Sequence, residues 1–234
     1  MLSVQQVSRT FNHKQAGLID VSFSVEEGEI IGILGTSGCG KSTLLRVLSG
    51  LDKDYTGKFS LEKEDVGMMF QEPRLMPWLT VEQNVAFGLK GDQKAIVHEL
   101  LDTVGLSGFE KHYPKDLSGG MSQRTAIARA LVTEPEVLLL DEPFSAVDAF
   151  TKMQLQELLL SIWKKKNTTM LLVTHDIDEA LYLCDRILIL KGQPGVLAEV
   201  LTIKQSKPRN RTDMDLALIK AEILQVLDLR ETVS

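Results

Sequence analysis

Eight residues constrain this chain more than any others: Gly35-Thr36-Ser37-Gly38-Cys39-Gly40-Lys41-Ser42. They fit G-x-x-x-x-G-K-[ST], a loop that cradles phosphate, and Thr43 adds a second hydroxyl behind it. Before the loop, Glu29 to Leu34 is a non-alternating apolar run of the kind a buried parallel strand shows. After it, Ser42 to Leu48 reads as a helix. A triphosphate needs successive backbone N–H groups pointing inward, and glycine supplies the positive φ and close backbone approach this requires. The helix that follows aims its positive dipole end at the anion. Lys41 then stands in the first helical turn, where the dipole disfavours a cation by about 0.3–1 kcal/mol, so an anion must offset the placement. Ser42 is placed to offer its hydroxyl to Mg²⁺.

The 234 residues are 44% hydrophobic and 25% charged, enough for a sizeable core. A net charge of −6 argues against a nucleic-acid binder held by a broad basic face. No run approaches the length of a membrane span, and the start, Met1 to Gln6, lacks a basic then apolar leader. The expectation is a chain that stays in the cytosol. Cys39 and Cys184 lie far apart without C-x-x-C spacing, which gives no reason to invoke zinc or a disulfide.

Leu2 to Phe11 and Asp20 to Glu26 alternate apolar with polar, as half-exposed antiparallel strands do. Phe11, before the polar loop Asn12-His13-Lys14-Gln15, can stack on an adenine ring or simply pack. Gly57 to Glu64 reads as a short polar strand pair, and Val66 to Phe70 as a buried strand ending on Gln71. Leu75, Met76, Trp78 and Leu79 crowd a short segment with prolines at 73 and 77, unlike a free loop. From Val81 to Gly105 the pattern turns helical, with Ile96, Val97, Leu100, Leu101 and Val104 on one face.

Ser118-Gly119-Gly120 precedes another helical run, Ser122 to Leu131, and offers a second set of free N–H groups without a lysine. Val137 to Leu140 is a buried strand that runs into Asp141-Glu142-Pro143. Adjacent carboxylates there are costly to desolvate without a cation or a catalytic role. Thr168 to Thr174 is a further strand, ending at His175, and Arg186 to Leu190 another. Gly35, Gln71, Asp141, Glu142 and His175 thus fall at carboxyl ends of buried strands, the edge where open parallel sheets bind ligands.

With these pieces in order, residues 2 to 200 resemble an ATP-binding-cassette ATPase. Gly35 to Thr43 matches Walker A, Gln71 the Q-loop and Leu117 to Met121 the signature. Val137 to Asp141 matches Walker B, Glu142 the catalytic glutamate, Ser145 to Asp148 the D-loop and His175 the switch histidine. Phe70 to Val85 is most similar to the subunits that energise nitrate, sulfonate and taurine-type importers.

The resemblance implies an α/β P-loop NTPase fold: a mainly parallel central sheet, an antiparallel β subdomain and an inserted helical subdomain. It implies one domain over 1–234, with a core of about 2–200, a helical subdomain of about 72–130, and a C-terminal linker and helix of about 203–230. It further implies ATP and Mg²⁺, the metal held by Ser42, Gln71 and Asp141. Glu142 is then the general base, with Gln71 and His175 completing the catalytic set. Phe11, Gly35 to Thr43 and Asp148 bind nucleotide, and Ser118, Gly119 and Gly120 reach the γ-phosphate of a second copy in a head-to-tail dimer.

The partners implied are a membrane-embedded permease near Leu75, Met76, Trp78 and Leu79 and, indirectly, a solute-binding protein, at the cytoplasmic face of a bacterial membrane; nucleic acid is not among them. The implied task is ATP-powered import of a small anion or related small solute of the nitrate, sulfonate or taurine kind. A soluble cassette ATPase acting in assembly is the alternative. Met121 stands where the signature often has glutamine, and Phe11 where tyrosine is frequent. The basic linker Lys204 to Arg211 reads as a solvated charge run. The last helix, with Leu216, Ile219, Ile223 and Leu227 at helical spacing, packs on its own sheet or on a partner.

Overall fold

The structure, a computed structural model, describes residues 2–11, 17–61, 65–91 and 93–227. The loop Asn12-His13-Lys14-Gln15, the end of the Gly57 to Glu64 stretch and the last turn of the expected C-terminal helix lie outside them. The chain forms two units, Met1–Lys63 with Thr169–Ser234, and Glu64–Thr168. Elements are numbered along the chain.

The first unit contains β1 (Leu2–Thr10), β2 (Gly17–Val25), β3 (Ile30–Gly35), α1 (Lys41–Leu48) and β4 (Thr56–Phe59). It continues with β7 (Thr169–Val173), α6 (Ile177–Leu183), β8 (Arg186–Lys191), β9 (Val196–Thr202) and α7 (Met214–Val226). β3 is buried throughout because it lies between parallel neighbours, β7 and β8. This is why its sequence does not alternate. β9 closes the β8 side antiparallel. A separate antiparallel sheet runs β2-β1-β4. The expected alternation of β1 breaks at Gln6, whose φ is 52°, and the register shifts between Val4 and Val7. The bulge switches parity, so Val7 is buried beside Leu2 and Val4. The expected strand pair after Gly57 is one described strand, β4, which pairs with β1.

The linker before α7 corrects the reading of a solvated charge run. Lys207 donates to Asp185 at 2.7 Å, and the same carboxylate oxygen accepts from the Ile30 amide at 2.9 Å. Arg209 is buried and donates to the Leu181 and Tyr182 carbonyls at 3.0 and 3.3 Å, at the end of α6. Both cations therefore fasten the linker to the frame around β3. α7 buries Leu216 and Ile223 and packs against α6.

The second unit holds β5 (Val66–Met69), α2 (Val81–Val85), α3 (Lys94–Thr103), α4 (Gly119–Leu131), β6 (Val137–Asp141) and α5 (Ala149–Lys166). β5 and β6 pair in parallel, Met69 opposite Leu140. The helical pattern expected from Val81 to Gly105 is interrupted, with Gly88 and Gly91 at φ 99° and 81° between α2 and α3. Thr80 and Gln83 form a reciprocal capping box at the start of α2. α4 starts at Gly119, three residues earlier than the sequence pattern indicates, because Ser118 caps it by accepting from Met121 N–H. α5 is matched to its dipole at both ends, by Asp148 as N-cap and Lys164, Lys165 and Lys166 in the last turn.

Candidate functional site

In the first unit, the phosphate loop turns from β3 into α1 through Gly38 at φ 82° and Gly40 at φ 97°. Gly40 is the N-cap of α1, no side chain caps the helix, and no acidic residue lies in its first turn. A helix start without a cap is an anion site in waiting. Lys41 is buried and its Nζ donates back to the Gly35 and Thr36 carbonyls at 2.8 and 3.2 Å, which keeps the amine over the loop. Thr36, Ser37 and Gly38 face solvent, and Ser42 and Thr43 are half-buried.

Cys39 points the other way. It is fully buried, and a Cβ built on Gly35 would stand 2.6 Å from its Sγ, so the thiol fills the floor beneath the loop. Burial pushes its pKa up, against the lowering by Lys41 and backbone N–H groups. Cys39 therefore belongs to the cradle through its backbone, not its thiol.

Residues that the sequence reading passed over form the bed of this loop. A Cβ on Gly195 would lie 1.9 Å from the Cys39 carbonyl, and one on Gly40 would lie 2.5 Å from the Gly17 carbonyl. Gly195 N–H donates to Gly17 at 2.9 Å, and Gln193 donates to the Ser37 carbonyl at 3.0 Å. Their signal was only a Pro194-Gly195 turn, with nothing to link it to residues 35–42.

His175 follows β7, which pairs with β3 in parallel through Ile33 and Val173, so His175 and Gly35 share one sheet edge. His175 is exposed. The turn beneath it is fixed by Thr174, which donates to Glu179 at 2.6 Å and accepts from Asp176 N–H at 3.0 Å. Phe11 follows Thr10, which pairs with Gly17. Its ring is 41% exposed and carries the Arg9 guanidinium 4.2 Å from its centroid.

In the second unit, Gln71 and Asp141-Glu142 share the carboxyl edge of β5 and β6. Gln71 is exposed, Asp141 buried and Glu142 half-buried. Glu142 holds φ at 46°, a left-handed backbone that costs a residue with a Cβ about 1–2 kcal/mol. Ser118, Gly119 and Gly120 meet the start of α5: a Cβ on Gly120 would stand 2.6 Å from the Thr151 methyl. Thr151 and Phe150 both bond to Asp148, whose carboxyl is held below the usual range first by the Thr151 hydroxyl and then by its amide. Two helix N-termini therefore lie together.

The loop after Gln71 is rigid. Arg129 donates to the Pro73 and Arg74 carbonyls at 2.6 and 2.9 Å, and buried Asn84 bonds to Met76, Leu79 and Thr80. Trp78 stands on it 72% exposed, while Leu75, Met76 and Leu79 are half-buried. Asn84 was legible only as a polar residue inside an apolar helical pattern.

Among the described residues no His, Cys, Asp or Glu cluster of three or more is arranged for a metal. Mg²⁺ does not need one, because it takes one or two carboxylates with phosphate and water. The hard oxygens of Ser42 and Asp141 fit that chemistry. No helix among the described residues is long and apolar enough to cross a membrane.

A glycine cradle on an uncapped helix, inside an α/β sheet, defines a P-loop nucleotide-binding protein. The match goes further: a family model described as ABC transporter covers residues 18–145, and the chain belongs to the ABC transporter ATPase family, in which ATP hydrolysis drives transport.

It is 48% identical to the aliphatic sulfonates import ATP-binding protein of Bacillus thuringiensis, over 96% of this chain and 94% of the relative. The protein of the same name from Pseudomonas syringae is 52% identical, with 92% and 94% covered. Among solved structures, a dimeric ATP-binding cassette in a post-hydrolysis state bound to ADP and Pi matches with a TM-score of 0.76 at 29% identity, covering 88% of this chain and 100% of that one. A cassette of a Clostridium perfringens ABC transporter complex matches with a TM-score of 0.76 at 26% identity, covering 98% and 95%. The assembly alternative is not favoured by these relatives.

Proposed function

We propose that this chain is the ATP-hydrolysing subunit of a bacterial importer for aliphatic sulfonates or closely related small anions. It works as a head-to-tail dimer at the cytoplasmic face of the membrane. The solute class rests on the relatives' names. The importer reading rests on one observation above others: Trp78 stands exposed on a loop whose backbone is fixed from two helices. Rigid display of a large aromatic lowers the entropy lost on docking and is characteristic of an interface anchor. The partner is a membrane-embedded permease, met through Leu75, Met76, Trp78 and Leu79, with a solute-binding protein acting upstream of it.

In this reading Gly35 to Thr43 hold the triphosphate, Lys41 leaves the Gly35 carbonyl for phosphate oxygens, and Phe11 stacks on adenine. Ser118, Gly119 and Gly120 of one copy face the γ-phosphate bound by the other, with Asp148 alongside. Glu142 accepts a proton from water as the water oxygen bonds to the γ-phosphorus and the bond to the bridging oxygen of ADP breaks. Gln71 and His175 orient the water and the γ-phosphate. Ser42, Asp141 and Gln71 would hold Mg²⁺, which would supply neutralisation of phosphate charge.

Glu142→Gln tests the site: it is expected to bind ATP, stop turnover and run as a dimer with ATP on a sizing column. Normal hydrolysis would overturn the assignment. Trp78→Ala with Leu79→Ser tests the partner. The isolated subunit should keep its fold and ATP affinity while association with solubilised permease is lost; a melting temperature many degrees lower would make the loop core instead.

A further inference from the structure

The Arg9 guanidinium is fastened along its edge and lends its face to Phe11. Nε donates to Asp52 at 2.8 Å, while Nη1 donates to the Thr10 carbonyl at 2.7 Å and pairs with Asp54 at 3.0 Å. These N–H groups lie in the guanidinium plane, so the bonds leave its flat face for the Phe11 ring, whose centroid is 4.2 Å from the central carbon. The hydrogen bond from Arg9 also holds the Asp52 carboxyl below the usual aspartate range, so the pair stays charged. The Arg9 side chain is 13% exposed, whereas Phe11 is 41% exposed. Ion pairs near solvent add little to stability, so the fold alone does not account for holding a cation this firmly against an exposed ring.

The ties of Arg9 lead back to the phosphate loop by two routes. Asp52 and Leu51 N–H both donate to the Arg46 carbonyl, at 3.0 and 2.9 Å, in the last turn of the helix whose first turn carries Lys41. On the other side a Cβ on Gly17 would stand 1.8 Å from the Arg9 carbonyl, and the Gly17 carbonyl in turn lies against Gly40. We propose that Arg9 is a positioning residue for the nucleotide base: it sets Phe11 at a fixed place relative to the phosphate loop and polarises its ring, so that adenine stacks on the face Arg9 leaves open. The inference rests on the reading above that Phe11 stacks on adenine, and adds the group that acts through it. Phenylalanine has no polar tip to fix its ring by a hydrogen bond of its own. A cation on one face draws the π electrons toward itself, which makes the other face less repulsive to a second π system. A ring fixed before the base arrives also loses less entropy when it is covered.

Calorimetry with ADP and with inorganic pyrophosphate, each with Mg²⁺, separates base from phosphate. Arg9→Met should weaken ADP about fivefold and pyrophosphate by less than about twofold. Phe11→Ala should also weaken ADP, and adding Arg9→Met to it should change ADP affinity by less than about twofold, because the cation then has no ring to act through. Asp52→Ala keeps the cation but cuts its tie to α1, and should cost ADP about threefold while leaving pyrophosphate as it was. A merely structural role would weaken both ligands and would persist without Phe11. Equal losses for ADP and pyrophosphate, additive losses in the double variant, or unchanged ADP affinity in Arg9→Met would each overturn the inference. Should Arg9→Met not fold, Asp52→Ala decides by the same comparison of ligands. If Phe11→Ala binds ADP as tightly as the parent, the stacking reading beneath falls instead.

Discussion

Asn84 closes both ends of its carboxamide on Met76, accepting from its amide at 2.8 Å and donating to its carbonyl at 3.2 Å. The same Nδ2 also faces the Leu79 and Thr80 carbonyls, each at 3.0 Å. A fully buried side chain thereby sets the shape of an outward-facing loop. Asn84→Ala should cost about 2–3 kcal/mol, because it takes the side-chain partner from the Met76 N–H and the Leu79 carbonyl, while the Met76 and Thr80 carbonyls keep the backbone donors Leu79 and residue 84. Thermal unfolding of the isolated chain measures this, with a fall of several degrees expected; an unchanged melting temperature would show that the loop is shaped by something else.

Gly195 supports the phosphate loop from beneath. With a Cβ only 1.9 Å from the Cys39 carbonyl, Gly195→Ala must push the loop floor outward. ATP affinity should drop at least about tenfold, equivalent to about 1.4 kcal/mol, with secondary structure retained. Titration of a fluorescent ATP analogue alongside circular dichroism separates the two effects, and parent-like affinity would remove Gly195 from the cradle.

Cys39 and Cys184 are both buried, and burial raises the pKa of each. Maleimide at neutral pH should therefore leave the native chain unmodified and active, with two adducts appearing by mass only after denaturation. ATP-protected labelling of Cys39 in the native state would contradict the geometry.

Asp148 gives the acid limb of stability a sign. Its carboxyl titrates below its unfolded value, so the N-cap contribution is complete above the ordinary aspartate range and is lost as pH falls through the depressed folded value. Between about pH 5 and pH 2 the melting temperature of the parent should fall more steeply than that of Asp148→Asn, whose amide oxygen caps without titrating. Parallel curves would mean that the charge of Asp148 adds nothing beyond a neutral cap on α5.

The candidate site residues were readable because each ends or follows an apolar strand: Gly35 closes β3, Gln71 follows β5, Asp141 closes β6 and His175 follows β7. What was not readable depends on contacts distant in sequence. Gly195 meets Cys39, and Lys207 meets Asp185 beside Ile30, through chain reversals that no local pattern announces. The linker cations looked solvated because charge composition cannot reveal which distant carboxylate and carbonyls, those of Asp185, Leu181 and Tyr182, will meet them. The bulge at Gln6 was invisible for a different reason: Leu2 and Val4 alternate as a regular strand does, and the register shifts only beyond them.

Glu142 carries the left-handed backbone described above, in a position where glycine or asparagine would rest more comfortably. Heat-tolerance engineering that scores positions by backbone fit will mark this residue for replacement, and the resulting protein should withstand more heat while consuming no ATP. Stabilisation and turnover part company at this single peptide unit, so an unguided search for robustness in this chain drifts toward an inert binder.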